Sequence, residues 1–210
     1  VLLDSVTTNL TRFFRNTAHF KTLQYYVVPK LIEHKRGSGD KQIRVWSAGC
    51  STGEEAYSVA ITLHDVLPKE FSYHVVASDL SLKSLMIAKQ GFYTENRMNG
   101  VPSEYLEKYF VPKGDGYQIA DSIRSHVTFD YHNLKNDSGL RNLDVVFCRN
   151  VIIYFDEVAQ RNTVVRFWDV MAPYSFLFIG HSESLFGMDT KFQFLKTDWA
   201  CIYQKNTLEE

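Results

Sequence analysis

Short apolar runs alternate with helical stretches along most of the chain. Leu143–Cys148 (LDVVFC) is continuously apolar, the pattern of a strand covered on both faces, and Ser175–Ile179 reads the same way. Ile43–Ser47 and Tyr73–Ser78 read as two earlier strands, and Val127–Phe129 as a short one ending near Asn133. Between the first two, Glu54–Leu67 places Ala56, Val59, Ala60, Leu63, Val66 and Leu67 at helical spacing, and Pro68 stops it. Ser81 is a cap for a helix through Ala88, and Asp156 for one through Met171. Near the start, Leu10–Phe14 leads into mixed helical periodicity through Ile32, and Pro29 predicts a break or a second helix start.

Residues 35–41 form a charged Gly-Ser loop. In the middle, Gly91–Phe110 reads as a turn and a helix starting at Pro102-Ser103. Pro112–Gly116 is a turn cluster, and Tyr117–His126 a small hairpin. Lys191–Gln204 reads as two strands closing an antiparallel edge. The order β-α-β-α-(insert)-β-β-α-β-β-β predicts an α/β fold, a doubly wound and mostly parallel sheet. Such sheets bind ligands at the carboxyl ends of their strands, near the switch point. The residues to examine are therefore Ala48 to Glu55, Asp79, Asn133 and Arg149-Asn150.

The segment WSAGCSTGEEAYSVAI, Trp46 to Ile61, carries Gly49 and Gly53 between strand and helix. It lacks both the GxGxxG spacing of a dinucleotide loop and the GK[ST] of a P-loop. Glu54 and Glu55 at the helix start would compete with phosphate for the helix N-terminus, and they suit a ligand with an ammonium group. Asp79 is placed to accept from ribose hydroxyls. An ammonium plus a ribose without phosphates describes S-adenosylmethionine. NAD or another nucleotide, and a loop without ligand, stay open on these features: first-turn glutamates also serve the helix dipole, and an Asp after a strand also serves as a cap.

Composition narrows the classes. The chain has 210 residues, 45% hydrophobic and 14% aromatic, enough for one α/β domain with a sizeable core. With 23 basic and 24 acidic residues the net charge is −1, which calls for neither nucleic acid nor an anionic membrane as partner. No apolar run approaches the roughly 18 residues of a membrane helix, and the polar, Thr-rich start does not read as a signal peptide. Cys50, Cys148 and Cys201 have neither disulfide nor zinc spacing, which points to a reducing, cytoplasmic compartment. No metal site is expected, since HExxH, HxH and Cys-His ligand spacings are missing.

NLTRFFR at 9–15, WSAGCSTGEEAYS, ASD at 77–79, FCRNVIIYFD at 147–156 and GHSES at 180–184 occur in this order. Together they resemble the chemotaxis receptor glutamate O-methyltransferases, the CheR type, from about Thr7 to Tyr203. The resemblance implies a Rossmann-like domain over 1–210 that uses S-adenosylmethionine, releases S-adenosylhomocysteine, and esterifies glutamates in the cytoplasmic part of chemoreceptors. It implies that Asn9, Thr11 and Arg15 line the cleft, with Ala48 and Gly49 at the cofactor. Glu55, rather than Glu54, would take the methionine ammonium, and Asp79 the ribose. Asn133-Leu134 and Arg149-Asn150 would flank the adenosine and methionine portions. Arg15 and Tyr154 would lie nearest the transferred methyl, as the catalytic residues.

Two departures stand out. The family's N-terminal helical domain is expected to be absent from this chain, which starts eight residues before Asn9. The insert at about 91–126 resembles the family's small β-subdomain, but its turn at Pro112–Gly116 looks short, so tethering through a C-terminal receptor peptide is not expected. Other acceptors, and a non-catalytic cofactor-binding module, are the alternative functions. His181-Ser182-Glu183 lacks a GxSxG context and reads as a cleft-edge loop. Cys50 reads as a small loop residue, and Tyr25-Tyr26 and Trp168 as core.

Overall fold

The computed structural model describes residues 11–207; Asn9, at the head of the NLTRFFR motif, lies outside the described residues. The strands are β1 (Gln42–Ala48), β2 (Ser72–Asp79), β3 (Phe92–Thr94), β4 (Phe110–Lys113), β5 (Gly116–Ile119), β6 (Val127–Tyr131), β7 (Leu143–Cys148), β8 (Met171–Ile179), β9 (Gln193–Lys196) and β10 (Cys201–Asn206). The helices are α1 (Thr17–Thr22), α2 (Val28–Arg36), α3 (Glu54–Val66), α4 (Leu82–Gln90), α5 (Ser103–Tyr109), α6 (Asp121–Arg124) and α7 (Glu157–Val170).

The main sheet has the order β6-β2-β1-β7-β8-β10-β9. Its first five strands are parallel, and β10 and β9 add the expected antiparallel edge. The chain runs outward from β1 through β2 to β6, then returns to place β7 on the other side of β1. That reversal opens a crevice beyond the carboxyl ends of β1 and β7. Every residue of β7 is buried, because both of its faces are covered. On one face Phe147 stacks on Phe178 with centroids 4.3 Å apart, and Phe20 of α1 lies over Phe147. On the other, Trp46, Val146 and Leu177 pack with Val164 and Phe167 of α7.

Three expectations are met in part or corrected. Pro29 lies in the first turn of α2, the second helix start that its position predicts, but no break precedes it. A π-helical turn, Leu23–Val27, joins α1 to α2, and the Val28 N–H reaches back to the Leu23 carbonyl. The wider turn takes up the clash that a proline ring makes with the carbonyl four residues earlier. The hairpin is also displaced. It is β4 and β5 around Gly114 (φ +58°), with β3 on the other edge of β5, while Asp121–Arg124 is helical. Gly116 sits inside this small sheet because a Cβ there would lie 2.2 Å from the Tyr93 carbonyl oxygen. Tyr25 is exposed and pairs with Trp199 instead of joining the core.

At the end of the sheet away from the crevice, Lys35 reaches Asp144 and Asp40, both at 2.9 Å, and Arg44 pairs with Asp40 at 2.6 Å. The Arg44 hydrogen bond, with help from Lys35, holds the Asp40 carboxyl well below its usual range. A depressed carboxyl pKa contributes stability above the unfolded-state value, and that contribution is lost as pH falls through the folded-state value. Asp40 is partly solvated, so the contribution is discounted for screening. Asp40→Asn is expected to cost about 0.5–1 kcal/mol at neutral pH, with the deficit shrinking as pH falls below about 4. Urea unfolding of both proteins across that range checks it.

Candidate active site

The glycine loop is pinned to the end of β2. The N–H groups of Gly49 and Cys50 both donate to the Ser78 carbonyl, at 2.8 and 2.9 Å. Gly49 has φ +81°, and a Cβ on it would lie 2.5 Å from Val151 Cγ2. Ser51 also has a positive φ, and its N–H donates to Asp79 Oδ2 at 2.7 Å, while the Ser81 N–H donates to Asp79 Oδ1 at 2.9 Å. Asp79 thus holds the loop and the start of α4, and each of its oxygens can accept a further hydroxyl. The Ser51 hydroxyl is buried without a partner. Burial, then Asp79 and Glu55, push the Cys50 thiol well above its usual value, so it remains a small neutral filler.

The two glutamates separate. Glu54 is fully buried, accepts from Thr52 Oγ1 at 2.7 Å, and is paired with Arg97. Glu55 faces the crevice floor, accepts from Ser47 Oγ at 2.8 Å, and meets Arg149 Nη1 at a loose 3.6 Å. Burial raises the Glu55 carboxyl pKa, and Arg149, the Ser47 hydroxyl and Arg15 oppose that rise. Burial likewise lowers the pKa of Arg149, with Glu55 opposing. The two charges therefore do not fully compensate each other's desolvation. Arg149 Nη2 donates to the Arg15 carbonyl, and its Nε is buried without a partner.

Arg15 belongs to an irregular segment in which Phe14 and Asn16 take positive φ. Phe13 anchors that segment edge-on against Tyr93 and Phe110, and the Phe14 N–H donates to Ser58 Oγ at 2.9 Å. Thr11 is half-buried at its start. Beyond β7, Asn150 has φ +59°, and Tyr154 ends the 3₁₀ turn Ile152–Tyr154. Tyr154 is 48% exposed and so is no core aromatic. After β6, Asn133 Oδ1 accepts from the Lys135 N–H at 3.0 Å, and Leu134 packs beside Trp46 and Ala48. The structure brings Arg15, Glu55 and Arg149 together; Asp79 and Asn133-Leu134 lie along the β2–β6 side, and Tyr154 on the β7 side.

Sequence reading placed Glu183 in a cleft-edge loop without giving it a task, and missed Arg97 and His19. Glu183 is a backbone clasp: Oε2 accepts from the N–H groups of Asn150 (2.8 Å) and Gly180, and Oε1 from Ile153 (3.3 Å). The available signal was an acidic residue shortly after a buried strand. His19 is buried, and burial, Arg149 and His181 lower its pKa to about 3, so it stays neutral. Nothing in its local sequence distinguishes it from a surface histidine of α1. Among the described residues no group of three or more His, Cys, Asp or Glu side chains is placed to hold a metal, and no helix is long and apolar enough to cross a membrane.

A glycine loop on the first strand, a first-turn glutamate and an acidic residue ending the second strand define a cofactor-binding α/β domain of the methyltransferase kind. The family model described as CheR methyltransferase, SAM binding domain, matches residues 9–201, and the chain belongs to that family. The matched part is that family's S-adenosylmethionine-binding domain. The chain is 37% identical to chemotaxis protein methyltransferase 2 of Vibrio cholerae over 88% of its length and 65% of the relative's. It is 36% identical to the chemotaxis protein methyltransferase of Borreliella burgdorferi, over 89% of this chain and 68% of that one. With that of Escherichia coli the identity is 37%, over 90% and 66%. The chain thus spans about two thirds of the length of these relatives.

Because Glu183 fixes the backbone that leads to Tyr154, Glu183→Ala is expected to lower kcat about tenfold or more. Glu183→Gln should lose less, since an amide oxygen in the Oε2 place still accepts from the Asn150 and Gly180 N–H groups and only the longer bond from Ile153 is lost. Turnover with methyl-labelled cofactor measures both.

Proposed function

We propose that this chain is the catalytic domain of a protein-glutamate O-methyltransferase acting on the cytoplasmic part of chemoreceptors. One observation carries the reading: Arg15 stands beside the buried Arg149–Glu55 pair at the crevice, where a carboxylate acceptor can meet the cofactor without a general base. The names of the relatives support chemotaxis as the setting.

S-adenosylmethionine supplies an electrophilic methyl on a positively charged sulfonium. The residues present fit it. The loose Glu55–Arg149 pair and the orphaned Arg149 Nε suit a zwitterionic amino-acid end, with Glu55 on the ammonium and Arg149 on the carboxylate. Asp79 takes the ribose hydroxyls, and Ser51 Oγ offers a further donor. Asn133 and Leu134 border the adenosine, and Ala48, Gly49, Asn150, Thr11 and Asn9 complete the lining. Docking through a peptide at the receptor's C-terminus forms no part of this reading, because the β4–β5 turn is short.

The acceptor carboxyl, with an ordinary pKa of about 4.3, is ionised at neutral pH. Transfer neutralises charge, so a crevice that excludes water favours the transition state. The chain's contribution is then alignment, worth several kcal/mol. Arg15 orients the carboxylate through one oxygen and leaves the other to attack; engagement of both would weaken the nucleophile. The Tyr154 hydroxyl, on a rigid ring at the crevice mouth, positions the incoming oxygen. His19, with its pKa near 3, is too weak a base to take a proton at neutral pH.

Arg15→Ala and Tyr154→Phe are expected to lower turnover by about 100-fold and tenfold while changing cofactor affinity less. Unchanged turnover in either removes that residue from the chemistry. The rate should be nearly flat between about pH 6 and 8; a steep rise through pH 7 would reveal a titrating base. The acceptor is tested with methyl-labelled cofactor and a receptor cytoplasmic fragment. Label released as methanol in mild alkali identifies a carboxyl ester, whereas alkali-stable label points to a different acceptor.

A further inference from the structure

We infer that Arg97, in the insert, is a positioning residue that makes the small β3-β5-β4 sheet a working part of the cofactor site. The inference rests on the crevice binding S-adenosylmethionine, and goes beyond that reading by assigning the insert a task there.

The glycine loop leaves β1 fixed by Ser78 and Asp79, but its second half, Thr52–Glu54, is gripped from the insert. Arg97 Nη2 donates to Glu54 Oε1 and, at 2.6 Å, to Thr52 Oγ1. Thr52 Oγ1 in turn donates to Glu54 Oε2. The Tyr93 hydroxyl donates to the Thr52 carbonyl at 2.6 Å, and the Arg97 guanidinium lies over the Tyr93 ring at 5.2 Å. Gly53, between these held residues, has φ +95°, and a Cβ there would lie 2.9 Å from Tyr93 Oη. The loop therefore turns against the insert at a residue that has no side chain.

The same insert holds the other wall of the crevice. Tyr93 and Phe110 clamp Phe13, which anchors the segment bearing Arg15. A residue of the 3₁₀ turn after β3, Glu95–Arg97, thus sets the position of Glu54 at the head of α3, and with it the adjacent Glu55 that faces the crevice. Arg97 touches neither cofactor nor acceptor in this assignment; it acts through the loop. Removing it leaves a carboxylate with no exposure and no cation, and the available relaxation is a shift of Thr52–Glu54.

The experiment compares the whole chain with Arg97→Met, Arg97→Lys and Tyr109→Phe. Tyr109→Phe removes a hydrogen bond from the same region to Asp65, at the far end of α3, and serves as the stability control. S-adenosylhomocysteine binding is measured by calorimetry, melting temperature by scanning, and amide exchange at residues 51–55 by mass spectrometry. Arg97→Met should weaken binding about tenfold or more and speed exchange in the loop. Arg97→Lys, which keeps the charge but lacks the planar guanidinium that rests on Tyr93 and carries Nη2 to both Glu54 and Thr52, should fall between. Tyr109→Phe should lower the melting temperature and leave affinity within about twofold.

Wild-type affinity in Arg97→Met overturns the inference, as does an equal loss in Tyr109→Phe at equal loss of melting temperature. If Arg97→Met does not fold, wild-type affinity in Arg97→Lys overturns it. Failure of the unaltered chain to bind the cofactor product refutes the cofactor reading itself and is thereby distinguished from a failure of Arg97.

Discussion

The crevice depends on the burial of the Arg149 guanidinium at the end of β7. It is almost wholly removed from water, and its partners are few: Glu55 at 3.6 Å and the Arg15 carbonyl. A buried charge in such company is costly unless another group completes its hydrogen bonds. The arrangement makes sense as a half-built site whose remaining partners come with a ligand. It also explains why the irregular Arg15 segment stays put, since its backbone is one of the groups that the guanidinium uses. The same cation links three parts of the sequence: the NLTRFFR segment, the head of α3 and the end of β7.

Around this centre the loops are held by carboxylates. Asp79 ties the glycine loop to α4, Glu183 ties the turn after β7 to the end of β8, and Glu54 ties the glycine loop to the insert. The Asp79 and Glu183 clasps work against locally unfavourable backbone, at Ser51 and Asn150. Phe14, Asn16, Ser51 and Asn150 all take positive φ, a region that costs non-glycine residues on the order of 1 kcal/mol or more apiece. Such conformations persist where several neighbours over-determine them. The Ser51 and Asn150 N–H groups are aimed at the carboxylates of Asp79 and Glu183, and the Phe14 N–H at the Ser58 hydroxyl. The acidic residues at the crevice therefore divide: Glu54, Asp79 and Glu183 hold the frame, and Glu55 turns toward Arg149.

The succession of strands and helices along the chain was legible in the sequence because its signals are local and redundant. LDVVFC could be nothing but a covered strand, Ser81 and Asp156 capped the helices they were expected to cap, and Pro68 stood where α3 had to stop. The insert was less legible. Its strands are short and carry no clean alternation, so the hairpin was placed after the turn cluster instead of around it. Pro29 did mark the start of a second helix, but a π turn ahead of it joins that helix to the first, and no residue signals a π turn in advance. The positions of the candidate site residues followed from strand ends, and their assignment to a cofactor and an acceptor came from motif resemblance.

The sequence by itself determined which residues stand at the carboxyl edge, because apolar runs and caps dictate where each strand stops and the edge is where the polar residues then fall. Tertiary structure alone decided how the adjacent glutamates divide. Glu54 and Glu55 are indistinguishable by composition or helix position, yet one turns into the insert toward Arg97 and the other toward Arg149. That choice is made by partners about forty and ninety residues away. A charge sunk in the interior goes where its counter-charge is, and the location of a counter-charge is a property of the folded chain.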